Sequence, residues 1–164
     1  MRTVAAASRP GSYWLFSCGY ASTFDAPVVR VIDGDSLTVL VDRQHMRVRL
    51  KEIGAPELKQ AFGERSRQSL TDMCAAKRAR VTWTEKDRNG RLLARVWCGE
   101  VDANAEQVRR GMAWVFDRYV KDRGLYPLQE RVRARRLGLW ADAAPISPWQ
   151  CRQQRVALEY RTPK

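Results

Sequence analysis

The chain has 164 residues, of which 45% are hydrophobic, and it carries 30 Lys and Arg against 18 Asp and Glu, a formal net charge of +12. That length suits one domain with one core, and no stretch approaches the roughly eighteen consecutive apolar residues that would span a bilayer. The basic excess is mostly arginine, whose planar fork matches phosphate oxygens, so it points to polyanionic partners, nucleic acid ahead of anionic membrane.

Residues 1–26 read as an N-terminal arm or a degenerate export signal, since Arg9, Pro10 and Gly11 interrupt the apolar region such a signal needs. "PVVRVI" (27–32) and "SLTVLV" (36–41) read as strands. Between them Asp33-Gly34-Asp35 is a hairpin signal, because glycine takes positive φ cheaply and aspartate tolerates it. "HMRVRLKEI" (45–53) reads as a third strand, with Met46, Val48 and Leu50 alternating against Arg47 and Arg49. A loop opened by Pro56 follows, then a helix over 64–76 with Leu70, Met73 and Cys74 on one face. Strands are expected at 79–86 and 91–98, joined by an Asn89-Gly90 turn.

Residues 102–111 read as a short helix with Asp102 as N-cap and Gly111 as the stop. A last helix, 125–137, turns Leu125, Leu128 and Val132 inward and crowds arginines on its other face. From "AAPISP" onward the prolines are expected to end regular structure, leaving 142–164 as a C-terminal tail. Five strands with a helix between the third and fourth is the order of the five-stranded oligonucleotide-binding (OB-fold) barrel, here an α+β fold with three α-helices.

Four scattered cysteines without a Cys-x-x-Cys pair, and the single His45, argue against a zinc site. Cys74 and Cys98 flank one strand and its hairpin, so they can approach one another, as a disulfide in an oxidising compartment or as buried thiols in a reducing one. Phosphodiester hydrolysis needs an activated water and positive charge on the phosphoryl oxygens. The groups available for it are Asp33, Asp35, Arg49, Glu57 and Arg91, which a curled meander can gather around one mouth. Taken singly, each has a plainer reading: a turn aspartate, a solvated strand arginine, a surface loop acid.

"VIDGDSLTV", "RVRLKEIGAPE", "DRNGRLLARVW", "VDANAEQVRRGMAW" and "RLGLW", in that order, make residues 27–141 resemble the staphylococcal nuclease (thermonuclease) family. The resemblance implies an OB-fold barrel that cleaves DNA and RNA with Ca²⁺ and leaves 3′-phosphate ends. It implies Arg49 and Arg91 as the clamp on the scissile phosphate, Glu57 as general base, Asp35 as a direct calcium ligand, Asp33 as a supporting carboxylate and Ala55 as the source of a backbone carbonyl for the metal. Arg88 and Tyr119 fall where the family contacts substrate, although Asn89 stands where a tyrosine is usual.

The sequence departs from the family at Gly54, where the second carboxylate ligand is expected. Calcium wants six to eight oxygens and loses affinity as charged ligands are removed, so weak metal binding and reduced activity are expected, with Gly54→Asp as a rescue. By resemblance the partner is DNA or RNA, single strands preferred, the chain a monomer and the compartment periplasmic or extracellular. The competing reading is a catalytically impaired nucleic-acid-binding barrel. Gly54 favours it, and Glu57, which a pure binder does not need, opposes it.

Overall fold

The computed structural model describes residues 21–161, so the reading of the first twenty residues as an arm or export signal lies outside the described residues. Strand β1 (Ser22–Asp33) begins five residues before the expected Pro27, and its two halves serve different neighbours. Ser22 to Pro27 pair antiparallel with a later strand, and Val28 to Asp33 pair with β2 (Ser36–Val41). Register shifts between Val28 and Arg30 and between Val31 and Asp33 bend β1 as it passes from one partner to the other.

Strand β3 (Gln44–Leu50) pairs with β2, burying Val48 and Leu50 and turning Arg47 out, as the alternation requires. The expected continuation to Ile53 does not occur. Glu52 takes φ 69°, a left-handed conformation, and its buried carboxylate accepts the backbone N–H groups of Lys121 and Asp122 at 3.1 and 2.7 Å. The turn frees β4 (Ile53–Gly54) to pair elsewhere.

Helix α1 (Gly63–Cys74) buries Leu70, Met73 and Cys74 against the barrel. Strands β5 (Arg78–Lys86) and β6 (Leu92–Cys98) form the next hairpin, and β6 then pairs in parallel with β3, closing five strands into a barrel. The two-residue β7 (Val101–Asp102) leads into α2 (Ala103–Arg109), where Asp102 caps through its acceptance of the Ala105 N–H and Gly111, at φ 66°, ends the turn. Strand β8 (Trp114–Val115) pairs with β4, and α3 (Leu125–Ala134) turns Leu125 and Val132 into the core with its arginines outward.

Cys74 at the end of α1 and Cys98 at the end of β6 are joined in a disulfide, the oxidised one of the two states open to them. No helix of the described residues is long and apolar enough to cross a membrane.

The largest departure from the sequence reading is at the C-terminus. After a 3-10 turn (Gly138–Ala141), residues Pro148–Arg161 form a fourth helix, α4, where a tail without regular structure was expected. Pro148 is its first residue, the one helical position where a missing N–H and a fixed φ cost nothing. Ser147 stands before it, and its N–H and hydroxyl both donate to Gln150 Oε1, at 3.1 and 2.8 Å. Ser-x-x-Gln is a capping box, so the segment that looks like a helix stop is a helix start.

Candidate active site

The turn between β1 and β2 is fixed by its own side chains and by the protein beneath it. The Asp35 N–H donates to Asp33 Oδ1 at 3.0 Å, and Gln107 Nε2 from α2 donates to the Gly34 carbonyl at 2.6 Å and to the Ser66 carbonyl at 3.1 Å. Gly34 lies outside the positive-φ region, so conformational freedom is not why glycine stands there. Space is the reason: a Cβ on Gly34 would overlap the Ser66 hydroxyl and lie 2.7 Å from the Ala55 Cβ.

Asp35 is buried, with both carboxylate oxygens engaged. Oδ1 accepts the Ser36 hydroxyl at 3.1 Å and pairs with the Arg49 guanidinium, and Oδ2 accepts the Ala55 N–H at 2.6 Å. Register explains the pairing, since Ser36 and Arg49 are direct cross-strand partners and the Leu50 N–H donates to the Asp35 carbonyl. Arg49 Nη2 also donates to the Ile53 carbonyl at 3.3 Å, so one guanidinium ties the aspartate turn to the loop that carries Glu57.

Barrel closure brings in the second arginine. Leu92 of β6 sits beside Val48 of β3 and Leu93 beside Arg49, which places Arg91 at the same rim. Burial first, and then the charge of Arg91, push the Arg49 pKa down to about 10, with Arg152 acting in the same direction and Asp33 and Glu57 against it. Burial also raises the Asp33 pKa, against the pull of Arg49 and Arg91. These side chains therefore share one mouth.

Arg91 is aimed by Asp87. One Asp87 oxygen accepts the backbone N–H groups of Asn89 and Arg91 at 2.9 and 3.0 Å, and the other accepts Arg91 Nε at 2.8 Å, while Gly90 turns the chain at φ 75°. Partial burial opposes the charge on Asp87, but these donors outweigh it and hold its pKa below the ordinary value. The contribution to stability is thus present above the unfolded value of 3.8 and is lost as pH falls through the lower folded value. Asp87→Asn is expected to cost about 1 kcal/mol at neutral pH, because the amide keeps an oxygen for the two backbone N–H groups and only the partly covered pair with Arg91 is weakened. Denaturation curves of the two proteins should begin to converge as pH falls past the unfolded value of 3.8 and meet below the lower folded value, and only an effect on Arg91 would lower catalysis at neutral pH.

Glu57 has its N–H held by Gln60 Oε1 at 2.8 Å, and its carboxylate meets neither Arg49 nor Arg91 directly. Oε1 accepts Arg152 Nη1 of α4 at 2.5 Å, in a pair whose side chains are 47% and 39% exposed. Tyr119 is exposed, edge-on to Phe116 at 4.9 Å, and Phe116 stacks on Trp149 of α4 at 4.5 Å with planes 6° apart. The aromatic ledge therefore adjoins the mouth. Arg88 is exposed at the Asn-Gly turn.

Trp149, Arg152 and Gln107 are the residues that sequence reasoning missed. The first two lay in the supposed tail, where the Ser147-Pro148-x-Gln150 capping box was the available signal; for Gln107, buried on a short helix, no local signal existed.

The donor set does not fit a calcium site. Both oxygens of Asp35 are satisfied by protein donors, and Gly54 supplies no side-chain oxygen. The space a side chain would use at Gly54 is taken, with a Cβ lying 2.9 Å from the Trp149 ring and 3.2 Å from Pro148. Among the described residues no three His, Cys, Asp or Glu side chains gather as a metal site. The rescue expected of Gly54→Asp is revised accordingly. That substitution should unseat α4, cost about 1–3 kcal/mol by overpacking, and give no calcium-stimulated gain in cleavage. Adding Trp149→Ala should cost less than the sum of the two single changes, which a denaturant double-mutant cycle measures.

Residues 47–142 match the family model described as staphylococcal nuclease homologue. The chain is 43% identical to the micrococcal nuclease of Shigella flexneri, covering 79% of this chain and 81% of the relative. It is 42% identical to an uncharacterized endonuclease of Haemophilus influenzae, over 82% and 78% of the two chains, and 41% identical to protein ParB of Escherichia coli, over 77% and 78%.

Proposed function

The chain belongs to the staphylococcal nuclease family and is a nuclease, and from that premise we propose that Glu57, Arg49 and Arg91 carry phosphodiester hydrolysis of single-stranded DNA and RNA at the barrel mouth. One observation supports this most strongly. Closure of β3 on β6 sets Arg91 beside Arg49, and Arg49 feels the charges of Arg91, Asp33, Arg152 and Glu57 together. Positions far apart in the chain thereby come close enough for their charges to act on one another.

In this reading Glu57 takes a proton from a water whose oxygen attacks phosphorus. Arg49 and Arg91 stabilise the charge that builds on the phosphoryl oxygens. The P–O5′ bond breaks, the leaving oxygen takes a proton from solvent, and a 3′-phosphate remains. Arg49 is preorganised for this by Asp35 and the Ile53 carbonyl, and Arg91 by Asp87, so neither must be reoriented as the reaction proceeds. Tyr119 offers an exposed ring on which a base can stack, and Arg88 an exposed charge for a flanking phosphate. Calcium, implied by the family resemblance, is assigned no step, since its donor set is incomplete.

The test is digestion of a single-stranded oligonucleotide with calcium and with chelator, scoring product ends, with Glu57→Ala as control. Metal-insensitive cleavage to 3′-phosphate ends, lost in the control, supports the reading. Equal cutting by both proteins overturns the role of Glu57. Binding without cutting identifies the impaired nucleic-acid-binding barrel, the reading that Gly54 favours.

A further inference from the structure

We propose that Arg152 of α4 is a third phosphate-binding guanidinium of this site, so that the C-terminal helix supplies a substrate contact; the inference rests on the nuclease reading above. Four contacts seat α4 at the mouth. Trp149 fills the notch over Gly54 and stacks on Phe116, Pro148 closes the same notch, and Gln60 joins the two sides by accepting the Glu57 N–H and donating to the Ile146 carbonyl at 3.3 Å. The fourth is the pair between Arg152 and Glu57.

Arg152 lies three residues after Trp149, hence on the same face of α4, and its Nη1 reaches Glu57 Oε1 at 2.5 Å. A guanidinium has five N–H donors in a fixed fork, and the contact with Glu57 uses Nη1. The side chain is 47% exposed, so the guanidinium remains accessible beyond that one contact. It stands close enough to Arg49 for their charges to oppose each other, as the charges on a shared anion site do when the anion is away.

A latch holding Glu57 inactive is the rival reading, and magnitude decides against it. A pair exposed to this degree is worth roughly 0–1 kcal/mol, too little to hold a helix shut, whereas the packing of Trp149 seats α4 with or without the pair. A backbone phosphodiester carries the same single charge as a carboxylate but accepts a guanidinium through both of its non-bridging oxygens, whereas Glu57 engages Arg152 through Oε1 alone, so the phosphate competes for Arg152 and displaces Glu57. Binding then frees the carboxylate to take its proton. Arg152 also restores positive charge to a mouth where Gly54 has removed a ligand for a cation.

The experiment compares wild type, Arg152→Ala and Arg152→Lys, with Arg135→Ala as a control that removes the same charge from beyond the end of α3. Cleavage of a single-stranded oligonucleotide is followed over a range of salt, and binding is measured with a phosphorothioate-linked oligonucleotide that resists cutting. Arg152→Ala is expected to lower kcat/KM about 10- to 100-fold, the loss of one charge-assisted contact. It should also reduce the salt slope of binding by about 0.7, the value of one phosphate contact on a single strand. Lysine should recover the slope but only part of the rate, and the melting temperature should match that of Arg135→Ala. An unchanged slope and affinity, or faster cleavage by Arg152→Ala, overturns the proposal. A wild type that binds but does not cut refutes the hydrolase reading alone, and the binding slope still decides Arg152.

Discussion

Arg49→Ala is expected to lower cleavage by about 100- to 1,000-fold and to destabilise the fold at once, while Arg49→Lys separates the two effects. The stability loss comes from Asp35. Its buried carboxylate keeps the Ser36 hydroxyl and the Ala55 N–H when Arg49 is removed, but it loses the only cation paired with it among the described residues. Breaking a buried pair from one side leaves an uncompensated charge and costs about 3–5 kcal/mol. The catalytic loss is separate, since removing one preorganised donor from a developing oxyanion costs about 100- to 1,000-fold in rate. Lysine restores charge beside Asp35 but not the fork that spans Asp35 and the Ile53 carbonyl, so it should recover most of the stability and little of the rate. Burial and the neighbouring Arg91 push the Arg49 guanidinium down to about 10, which leaves it protonated at neutral pH and makes cleavage fall as pH rises through about 10. Chemical denaturation gives the first quantity and single-turnover cleavage the second. Wild-type rates in Arg49→Ala would end its assignment to the phosphate clamp.

The barrel was legible because its strands alternate. Met46, Val48 and Leu50 against Arg47 and Arg49 give both the strand and its inner face, and Asn89-Gly90 gives the hairpin, where Gly90 takes φ 75°. Where β3 ends was not legible, since that is decided by the grip of Glu52 on the backbone N–H groups of Lys121 and Asp122, 69 and 70 positions away. Gly34 was placed in the right turn for the wrong reason: local chemistry suggests positive φ, but the cause is Ser66 and Ala55 packed against it. The site followed the same division. Asp33, Arg49 and Arg91 were found as types and brought together by strand closure, whereas the commitment of Asp35 to Ala55 depends on a loop that no pattern near Asp35 predicts. Helix α4 was hidden by Pro148, read as a breaker although it occupies the first turn, where proline is tolerated. Without α4, Gly54 looks like a lost ligand; with it, glycine is what lets Trp149 approach.

Glu57→Gln is expected to lower kcat by about 100- to 10,000-fold, the range of a positioned general base, while single-stranded DNA binds as tightly as before or more tightly. Three features make this the discriminating change. Glutamine keeps the size of the side chain and an oxygen that can accept Arg152 Nη1, so the contact with α4 survives. The loop is set by backbone groups that the substitution does not touch, with the Glu57 N–H on Gln60 Oε1, the Gln60 N–H on the Glu57 carbonyl, and Gly63 leaving room for that same carbonyl. Removing a negative charge from a mouth that must receive a phosphate favours binding by simple electrostatics. A residue that served only to hold α4 would give the opposite result: an unchanged rate once substrate saturates, with any loss confined to stability. Single-turnover rates and binding of a cleavage-resistant oligonucleotide separate these outcomes, and unaltered kcat in Glu57→Gln would move the proton-accepting role to another group. Arg152→Ala in the Glu57→Gln background carries the argument one step further. If a phosphate displaces Glu57 from Arg152, the two residues act independently once substrate is bound, and their effects on substrate affinity should be additive within about 0.5 kcal/mol only after allowing for the pair they form in the free protein.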